Sequence, residues 1–270
     1  MTVDVVADAL DNTLSKLETI VLNSNRREQD VAKGISLIEQ LVLSSKIQEM
    51  QSLLIPTKSA LRIGITGAPG SGKSTFLSSL LIKLPTQSMR IAVIAIDPSS
   101  PRSNGALLGD RIRVLDSSIF DYIFWRSMST RGELGGVSKA LSYVLNFLEV
   151  CKYDLIFVET VGVGQNEIQI SSLVNKTIHI IDSRLGDDVQ LEKSGIMEIG
   201  ELLFVNKKDL GVDEGQLLAL KEILQYELST SARKRTIIVG SAKTQDGFQD
   251  VVSIVNNWSS KFLFGAQNAT

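Results

Sequence analysis

The fold of this chain is constrained most by eight consecutive residues, Gly67-Ala68-Pro69-Gly70-Ser71-Gly72-Lys73-Ser74. They match the pattern Gly-x-x-x-x-Gly-Lys-Ser/Thr at every specified position, and Thr75 follows directly. The apolar run Leu61–Thr66 precedes them, and a helical stretch begins at Lys73. Glycines in such a loop let backbone N–H groups converge on phosphate oxygens at the N-terminus of a helix. The segment therefore predicts a strand, a phosphate-binding loop and a helix in succession.

The chain after residue 58 alternates short apolar runs with amphipathic helical stripes. Seven runs rich in Ile and Val stand at Leu61–Thr66, Arg90–Ile96, Tyr122–Arg126, Asp154–Val158, Thr177–Ile181, Leu202–Val205 and Thr236–Val239. Continuous apolar runs are typical of strands that are covered on both faces, as in a parallel sheet. Helical stripes run from Val137 to Leu148 and from Phe248 to Phe262. We predict an α/β fold with a doubly wound, mostly parallel P-loop NTPase sheet.

The first 58 residues have helical periodicity instead. One helical face carries Leu14, Leu17 and Val21, and a second carries Val31, Ile35, Ile38 and Val42. Pro56 and its polar neighbours end this segment. We therefore divide the chain into an N-terminal helical extension (1–58), a P-loop domain (59–265) and a short tail (266–270).

Composition and charge are those of an ordinary globular protein, with 43% hydrophobic and 21% charged residues among 270. The net charge of −2 gives no general attraction to nucleic acid or to an anionic membrane. With one cysteine, Cys151, and one histidine, His179, an internal disulfide is impossible and a Cys/His metal site is disfavoured. The segment Met1–Leu10 has no basic residue, and no apolar run reaches the ~20 residues that span a bilayer. We expect a cytoplasmic protein without nucleic-acid or membrane partners.

An acidic residue is required beside Ser74, whose hydroxyl is expected to coordinate Mg²⁺ while Lys73 contacts the β- and γ-phosphates. The best candidate is Glu159, which directly follows the apolar run ending at Val158. It opens Glu159-Thr160-Val161-Gly162, which is similar to the Asp-x-x-Gly element of GTPases with Glu in place of Asp. Gly162 would offer its N–H to the γ-phosphate. Asp97 and Asp110 are further metal candidates; a helix N-cap is the alternative role for Asp110.

Base recognition is indicated by Asn206-Lys207-Lys208-Asp209, which follows the run ending at Val205 and matches the Asn-Lys-x-Asp element of GTPases. A carboxylate at Asp209 can accept two hydrogen bonds from guanine N1–H and the exocyclic amine, and adenine lacks both donors there. After the last predicted strand, Ser241-Ala242-Lys243 is similar to the element whose backbone meets the guanine carbonyl. These elements predict GTP and GDP as ligands in preference to ATP, and hydrolysis of GTP to GDP and phosphate.

Longer segments resemble the MeaB/ArgK group of P-loop GTPases, which is related to the human methylmalonic aciduria type A protein. The resemblance covers about residues 25 to 260, and its most specific segments are Ile96–Pro101, Thr130–Gly136 and Val158–Glu167. It implies a G-protein chaperone of an adenosylcobalamin-dependent acyl-CoA mutase, chiefly methylmalonyl-CoA mutase. Such a protein gates cofactor loading and guards the mutase against inactivation. A cobalamin adenosyltransferase is a second candidate partner.

The resemblance also implies roles for individual residues. Asp97, Asp110 and Glu159 would lie around Mg²⁺ and the γ-phosphate. The segment Gly186–Lys193 resembles a third switch, a loop that relays the nucleotide state to the partner. Lys193 therefore joins Lys73, Glu159 and Asp97 as a catalytic candidate. The alternative for this segment is a polar connection before a helix. This chain reads Asp182-Ser183-Arg184-Leu185-Gly186 where the family has more glycine. Family members continue beyond the position of Thr270 into a C-terminal helical arm that mediates dimerisation, so a homodimer is left open.

Two other functions stay open at this point. Metallochaperone GTPases deliver nickel, but they use Cys and His motifs and this chain has one residue of each kind. An ATPase or kinase of amino-acid transport is the other alternative. The guanine element Asn206–Asp209 and the lack of a membrane-spanning run argue against it.

Overall fold

The computed structural model describes residues 3–85, 88–97, 123–129, 136–160, 162, 166–184, 200–211, 213–229 and 235–267. Its strands are β1 (Leu61–Thr66), β2 (Ile91–Asp97), β3 (Ile123–Ser129), β4 (Leu155–Glu159), β5 (Lys176–Asp182), β6 (Leu202–Asn206) and β7 (Thr236–Val239). They form one seven-stranded sheet in the order β3-β2-β4-β1-β5-β6-β7, and every neighbouring pair is parallel. The predicted parallel α/β sheet is confirmed.

The helices of the described part of the chain are α1 (Val3–Leu22), α2 (Glu28–Leu41), α3 (Ile47–Leu53), α4 (Lys73–Lys83), α5 (Gly136–Val150), α6 (Asn166–Ser171), α7 (Glu214–Ser229) and α8 (Phe248–Gln267). A single 3₁₀ turn, Lys208–Leu210, follows β6. Within these ranges, no helix is long and apolar enough to cross a membrane.

Apolar side chains cover the sheet on both faces, which explains why its strands read as continuous hydrophobic runs. On one face, Phe76 of α4 and Phe248 of α8 pack against Phe204 of β6, with ring centroids 4.8 to 5.4 Å apart. On the other face, Leu141 and Phe147 of α5 lie in one cluster with strand residues such as Ile94 and Ile156. The strand ends are thereby held rigidly on a two-sided core.

The N-terminal helices pack into this second cluster. Leu17 of α1 and Val31 and Ile38 of α2 are fully buried there together with Leu141 of α5. The contact between α2 and α5 is close, because a Cβ at Gly34 would lie 2.3 Å from the Phe147 ring. Residues 1–58 therefore add a layer of helices to the sheet domain and contribute to its core.

Candidate functional site

The predicted functional residues lie at the carboxyl edge of the sheet. Thr66, Glu159, Asp182 and Asn206 are the last residues of four adjacent strands, β1, β4, β5 and β6. Strand β1 lies between β4 and β5, so the loop that leaves it starts in the middle of this row. In open α/β sheets, ligands bind in the crevice outside the carboxyl ends of the strands.

Two glycines of the loop after β1 are required by both backbone conformation and space. Gly67 has φ +132°, and a Cβ there would lie 2.2 Å from the Ile180 carbonyl oxygen. Gly72 has φ +98°, and a Cβ there would lie 2.4 Å from Asn206 Nδ2. Positive φ angles of this kind strain any residue with a side chain. The glycines at these positions therefore let the loop close over the ends of β5 and β6.

Side-chain donors hold the carbonyl groups of this loop. Lys73 Nζ lies 2.7 Å from Gly67 O and 2.9 Å from Ala68 O. Lys207 Nζ donates to Gly70 O, and Asn206 Nδ2 donates to Ser71 O at 2.8 Å. A carbonyl oxygen that faced a phosphate would repel it, so carbonyls bonded to these donors favour an anion at the loop. Helix α4 begins at Lys73, and its N-terminus adds positive potential.

The end of β4 meets the start of α4 through two side chains. Ser74 Oγ donates to Glu159 Oε1 at 2.5 Å, and Glu159 is 2% exposed. A hydroxyl and a carboxylate are the hard oxygen donors that Mg²⁺ prefers, so this pair fits the predicted metal. Asp97 ends β2, the strand beside β4, whereas Asp110 and Lys193 lie outside the described residues.

Gly162 lies directly against the phosphate loop. Its φ is +88°, and a Cβ there would lie 2.2 Å from Gly67 O and 2.6 Å from Lys73 Nζ. No residue with a side chain fits this approach without a shift of the loop. The backbone of Gly162 therefore lies directly beside Gly67 and the Lys73 ammonium.

The base-recognition candidates form a second group beside the loop. Asn206 Oδ1 accepts from the backbone N–H of Lys207 and of Ala242, each at 2.8 Å. Asp209 is exposed, and its Oδ1 accepts from Ser241 Oγ at 2.6 Å. Ser241 itself is buried, and Lys243 and Thr75 are exposed. Two sequence elements that are 32 residues apart therefore meet at one acceptor, the Asp209 carboxylate.

One acidic residue of this edge was missed by the sequence analysis. Asp182 ends β5 and accepts from Lys207 Nζ at 2.6 Å and from the Arg184 guanidinium at 2.7 and 3.0 Å. Burial would raise the pKa of Asp182, but the hydrogen bonds from Arg184 and Lys207 hold it well below the usual range. The available signal was its position: Asp182 is a polar residue at the end of an apolar run, as are Glu159 and Asn206.

The single histidine and the single cysteine are both interior residues. His179 is 1% exposed, and its Nδ1 lies 2.9 Å from Thr66 Oγ1 across the β1–β5 pair. Cys151 is fully buried, and burial raises the pKa of its thiol to about 11. Neither residue lies at the surface where a transferred metal would bind.

Comparisons with known proteins agree with this arrangement. A putative GTPase of Pyrococcus horikoshii is 45% identical over 179 residues, which are 66% of this chain and 56% of that protein. The mouse mitochondrial methylmalonic aciduria type A homolog is 29% identical over 265 residues, 95% of this chain and 62% of that protein. The chain thus spans little more than half the length of the curated relatives it matches.

A solved structure described as a LAO/AO transport system kinase shares the fold, with a TM-score of 0.59, 23% identity and coverage of 98% of this chain and 78% of that chain. The family model described as "Methylmalonyl Co-A mutase-associated GTPase MeaB" matches residues 31–268. That match covers most of the chain and all of the strands and loops described above. The resemblance stated from the sequence is confirmed, and the chain belongs to the MeaB family of P-loop GTPases.

Proposed function

We propose that this protein binds and hydrolyses GTP and uses the nucleotide cycle to act as a chaperone of an adenosylcobalamin-dependent acyl-CoA mutase. The observation that carries this proposal is the match of residues 31–268 to a family described as associated with methylmalonyl-CoA mutase. The mouse relative, named for methylmalonic aciduria, supports the same metabolic setting. In this function the protein gates cofactor loading and protects the mutase, and a cobalamin adenosyltransferase is a second partner.

The phosphate end of the site supports binding of a nucleoside triphosphate. Backbone N–H groups of the loop 67–72 and the Lys73 ammonium would contact the β- and γ-phosphates. Ser74 and Glu159 would hold Mg²⁺, with Asp97 and Asp110 as further candidates. The bound ion would neutralise charge on the phosphates. The contribution of the chain is to place Ser74 and Glu159 within hydrogen-bonding distance of each other.

The base end of the site supports guanine. Asp209 lies at the surface edge of the site, and Ser241 holds one of its oxygens. Because a carboxylate with fixed orientation accepts from guanine N1–H and the exocyclic amine, and adenine has neither donor at those two positions, GTP is favoured over ATP. The Ala242 N–H is bonded to Asn206 Oδ1, so the backbone N–H of Lys243, the next residue, would be the donor to the guanine carbonyl.

The relay of nucleotide state starts, in our proposal, from Gly162. Its backbone is packed on Gly67 and Lys73, so a γ-phosphate at Lys73 would contact the segment after β4 directly. The third switch, Gly186–Lys193, lies outside the described residues, and its role as the surface read by the mutase remains part of this proposal. Order or displacement of a loop by a γ-phosphate is the usual means by which GTPases signal.

The deciding experiment is co-purification with a candidate cobalamin-dependent mutase in the presence of a non-hydrolysable GTP analogue, GDP or no nucleotide. We expect capture of the mutase to depend on which nucleotide is present. The same preparation is assayed for hydrolysis of GTP and of ATP. Hydrolysis of GTP without nucleotide-dependent capture would remove the chaperone function and leave the GTPase. Preferential hydrolysis of ATP would instead favour the transport-type ATPase or kinase.

A further inference from the structure

We infer that Asp182 is a positioning residue for nucleotide binding, which acts by holding the Lys207 ammonium against the phosphate loop. The inference rests on the proposed function, because it assumes that guanine nucleotides bind at this edge of the sheet. Asp182 is the last residue of β5 and lies in register with Asn206, the last residue of β6. It therefore stands between the phosphate loop and the base-recognition element.

The Lys207 ammonium is bonded on both sides. It lies 2.6 Å from Asp182 Oδ2 and also donates to the Gly70 carbonyl oxygen. The side chains of Asp182 and Lys207 are 11% and 21% exposed, so water screens this pair less than it screens a surface ion pair. The backbone of Lys207 is fixed as well, in the left-handed region at φ +69°, by the bond from its N–H to Asn206 Oδ1.

Gly70 depends on such a bond more than the other two glycines of the phosphate loop do. A Cβ at Gly70 would meet no atom within 4 Å, whereas Cβ atoms at Gly67 and Gly72 would clash with neighbouring strands. Packing therefore does not hold the loop in place at Gly70. The hydrogen bond from Lys207 fixes the Gly70 carbonyl, and Asp182 fixes Lys207, which would otherwise have many rotamers.

Arg184 provides a natural control because it binds the same carboxylate. Its backbone N–H and Nε donate to Asp182 Oδ1 at 3.1 and 3.0 Å, and Nη2 donates to Oδ2 at 2.7 Å. Its side chain is half-exposed, 52% against 11% for Asp182. Removing the guanidinium leaves Lys207 bonded to both Asp182 and Gly70. Removing the carboxylate takes away the acceptor that the two cations share, and Lys207 keeps only its bond to the Gly70 carbonyl oxygen.

An argument from net charge alone predicts the opposite effect of an Asp182 substitution on nucleotide affinity. A carboxylate near a phosphate-binding loop repels the phosphates, so neutralising it should strengthen nucleotide binding if only the net charge matters. If Asp182 acts through the position of Lys207, the same change should weaken binding. The direction of the effect therefore separates the two mechanisms.

The experiment measures affinity for GDP and for a non-hydrolysable GTP analogue by calorimetry, together with the thermal midpoint of each variant. We expect Asp182→Asn to weaken the affinity for both nucleotides about tenfold, as for loss of one charge-assisted hydrogen bond. Arg184→Gln should change these affinities less than about threefold. In the Lys207→Met background, Asp182→Asn should have no further effect.

Three results would overturn the inference. They are unchanged or tighter binding in Asp182→Asn, an equal loss in Arg184→Gln, or full additivity of Asp182→Asn and Lys207→Met. If Asp182→Asn does not fold, the test rests on Lys207→Met, which should weaken the affinity for both nucleotides at least about tenfold. An unchanged affinity in Lys207→Met then overturns the inference. Failure of the parent protein to bind any guanine nucleotide would refute the proposed function, which this design keeps separate.

Discussion

Asn206 Nδ2 donates to the Ser71 carbonyl oxygen at 2.8 Å, so the residue that ends β6 is bonded directly to the phosphate loop. The same buried side chain accepts from the backbone N–H of Lys207 and Ala242. One amide therefore joins the loops that follow β1, β6 and β7. Because these are the loops proposed to hold phosphate and base, this residue contributes to their relative position.

Replacing Asn206 should consequently affect both stability and binding. Asn206→Asp keeps the acceptor for Lys207 and Ala242 but places a carboxylate oxygen opposite the Ser71 carbonyl, which is repulsive. Asn206→Ala removes all three bonds and should cost about 1–3 kcal/mol of unfolding free energy for each buried group left unsatisfied. Denaturant unfolding and GDP titration measure the two effects. An Asn206→Asp protein with parental GDP affinity would show that the bond to Ser71 is unimportant.

The guanine assignment of Asp209 is tested by changing the base. Asp209→Asn should weaken GTP and improve xanthosine triphosphate, because xanthine carries a carbonyl where guanine has its amine. Ser241→Ala is the matched control, since it removes the bond that orients Asp209 and leaves the carboxylate in place. We expect Ser241→Ala to weaken GTP without improving xanthosine triphosphate. Calorimetric titration with GTP and with xanthosine triphosphate measures these affinities. An unchanged GTP affinity in Asp209→Asn would remove this residue from the base site.

Binding and turnover should separate at the phosphate end. Lys73→Ala should lower the affinity for GTP by about 10- to 100-fold, because hydrogen bonds to charged groups contribute ~1.5–3 kcal/mol. Glu159→Gln keeps the shape of the side chain and can still pair with Ser74, so binding should fall less than turnover, which we expect to drop about tenfold or more. The readouts are titration with a GTP analogue and steady-state phosphate release over a range of Mg²⁺ concentrations. Parental turnover with normal Mg²⁺ dependence in Glu159→Gln would contradict the role assigned to Glu159.

Residue pattern predicted the local structure of this protein well and the contacts between strands poorly. The bounds of β1 and β7 agree with the prediction, because an apolar run and its flanking turn residues determine a strand locally. Strand β3 extends three residues further than predicted, to Ser129, because pairing with β2 continues through polar Arg126 and Ser127. The backbone partner across the sheet overrides the polar sequence there.

The Asp182–Lys207 pair shows the same limit at the site. Both residues were visible, Lys207 within a motif and Asp182 after an apolar run. Their contact follows from the adjacency of β5 and β6, which sequence pattern alone does not give. The contact of α2 with α5 is similar: helical spacing predicted which face of α2 is apolar, but the Gly34–Phe147 packing that it makes depends on tertiary structure.

The buried thiol offers a test of the core with a simple reagent. Cys151 is the only cysteine, and its thiol pKa is raised to about 11 by burial. At pH 8 the thiolate fraction alone should make a disulfide reagent react about 100-fold more slowly with folded than with denatured protein. Following absorbance with and without denaturant measures the ratio, and Cys151→Ser gives the blank. Equal rates would show that the end of α5 is open in solution.

The last prediction concerns the partner. Neither a second cation in the phosphate loop nor a glutamine directly after Gly162 is available to position the attacking water, so we expect slow intrinsic hydrolysis of GTP. A bound mutase could draw Arg131, Gln165 or Lys193 into place, and completion of a site in this way raises turnover ~10³-fold in other GTPases.

A mutase that favours one nucleotide state must, by linkage, have its own affinity changed by the nucleotide, so coupling predicts different mutase affinities with GDP and with GTP. We therefore measure GTP turnover with and without the candidate mutase, and mutase affinity with GDP and with a GTP analogue. Stimulation should be lost in Lys193→Ala and kept in Lys221→Ala, a matched change at an exposed position of α7. Mutase affinity that is indifferent to nucleotide, or fast turnover of the isolated protein without further stimulation, would contradict coupling. Either result would leave the GTPase itself standing, because base choice and phosphate binding rest on Asp209 and Lys73.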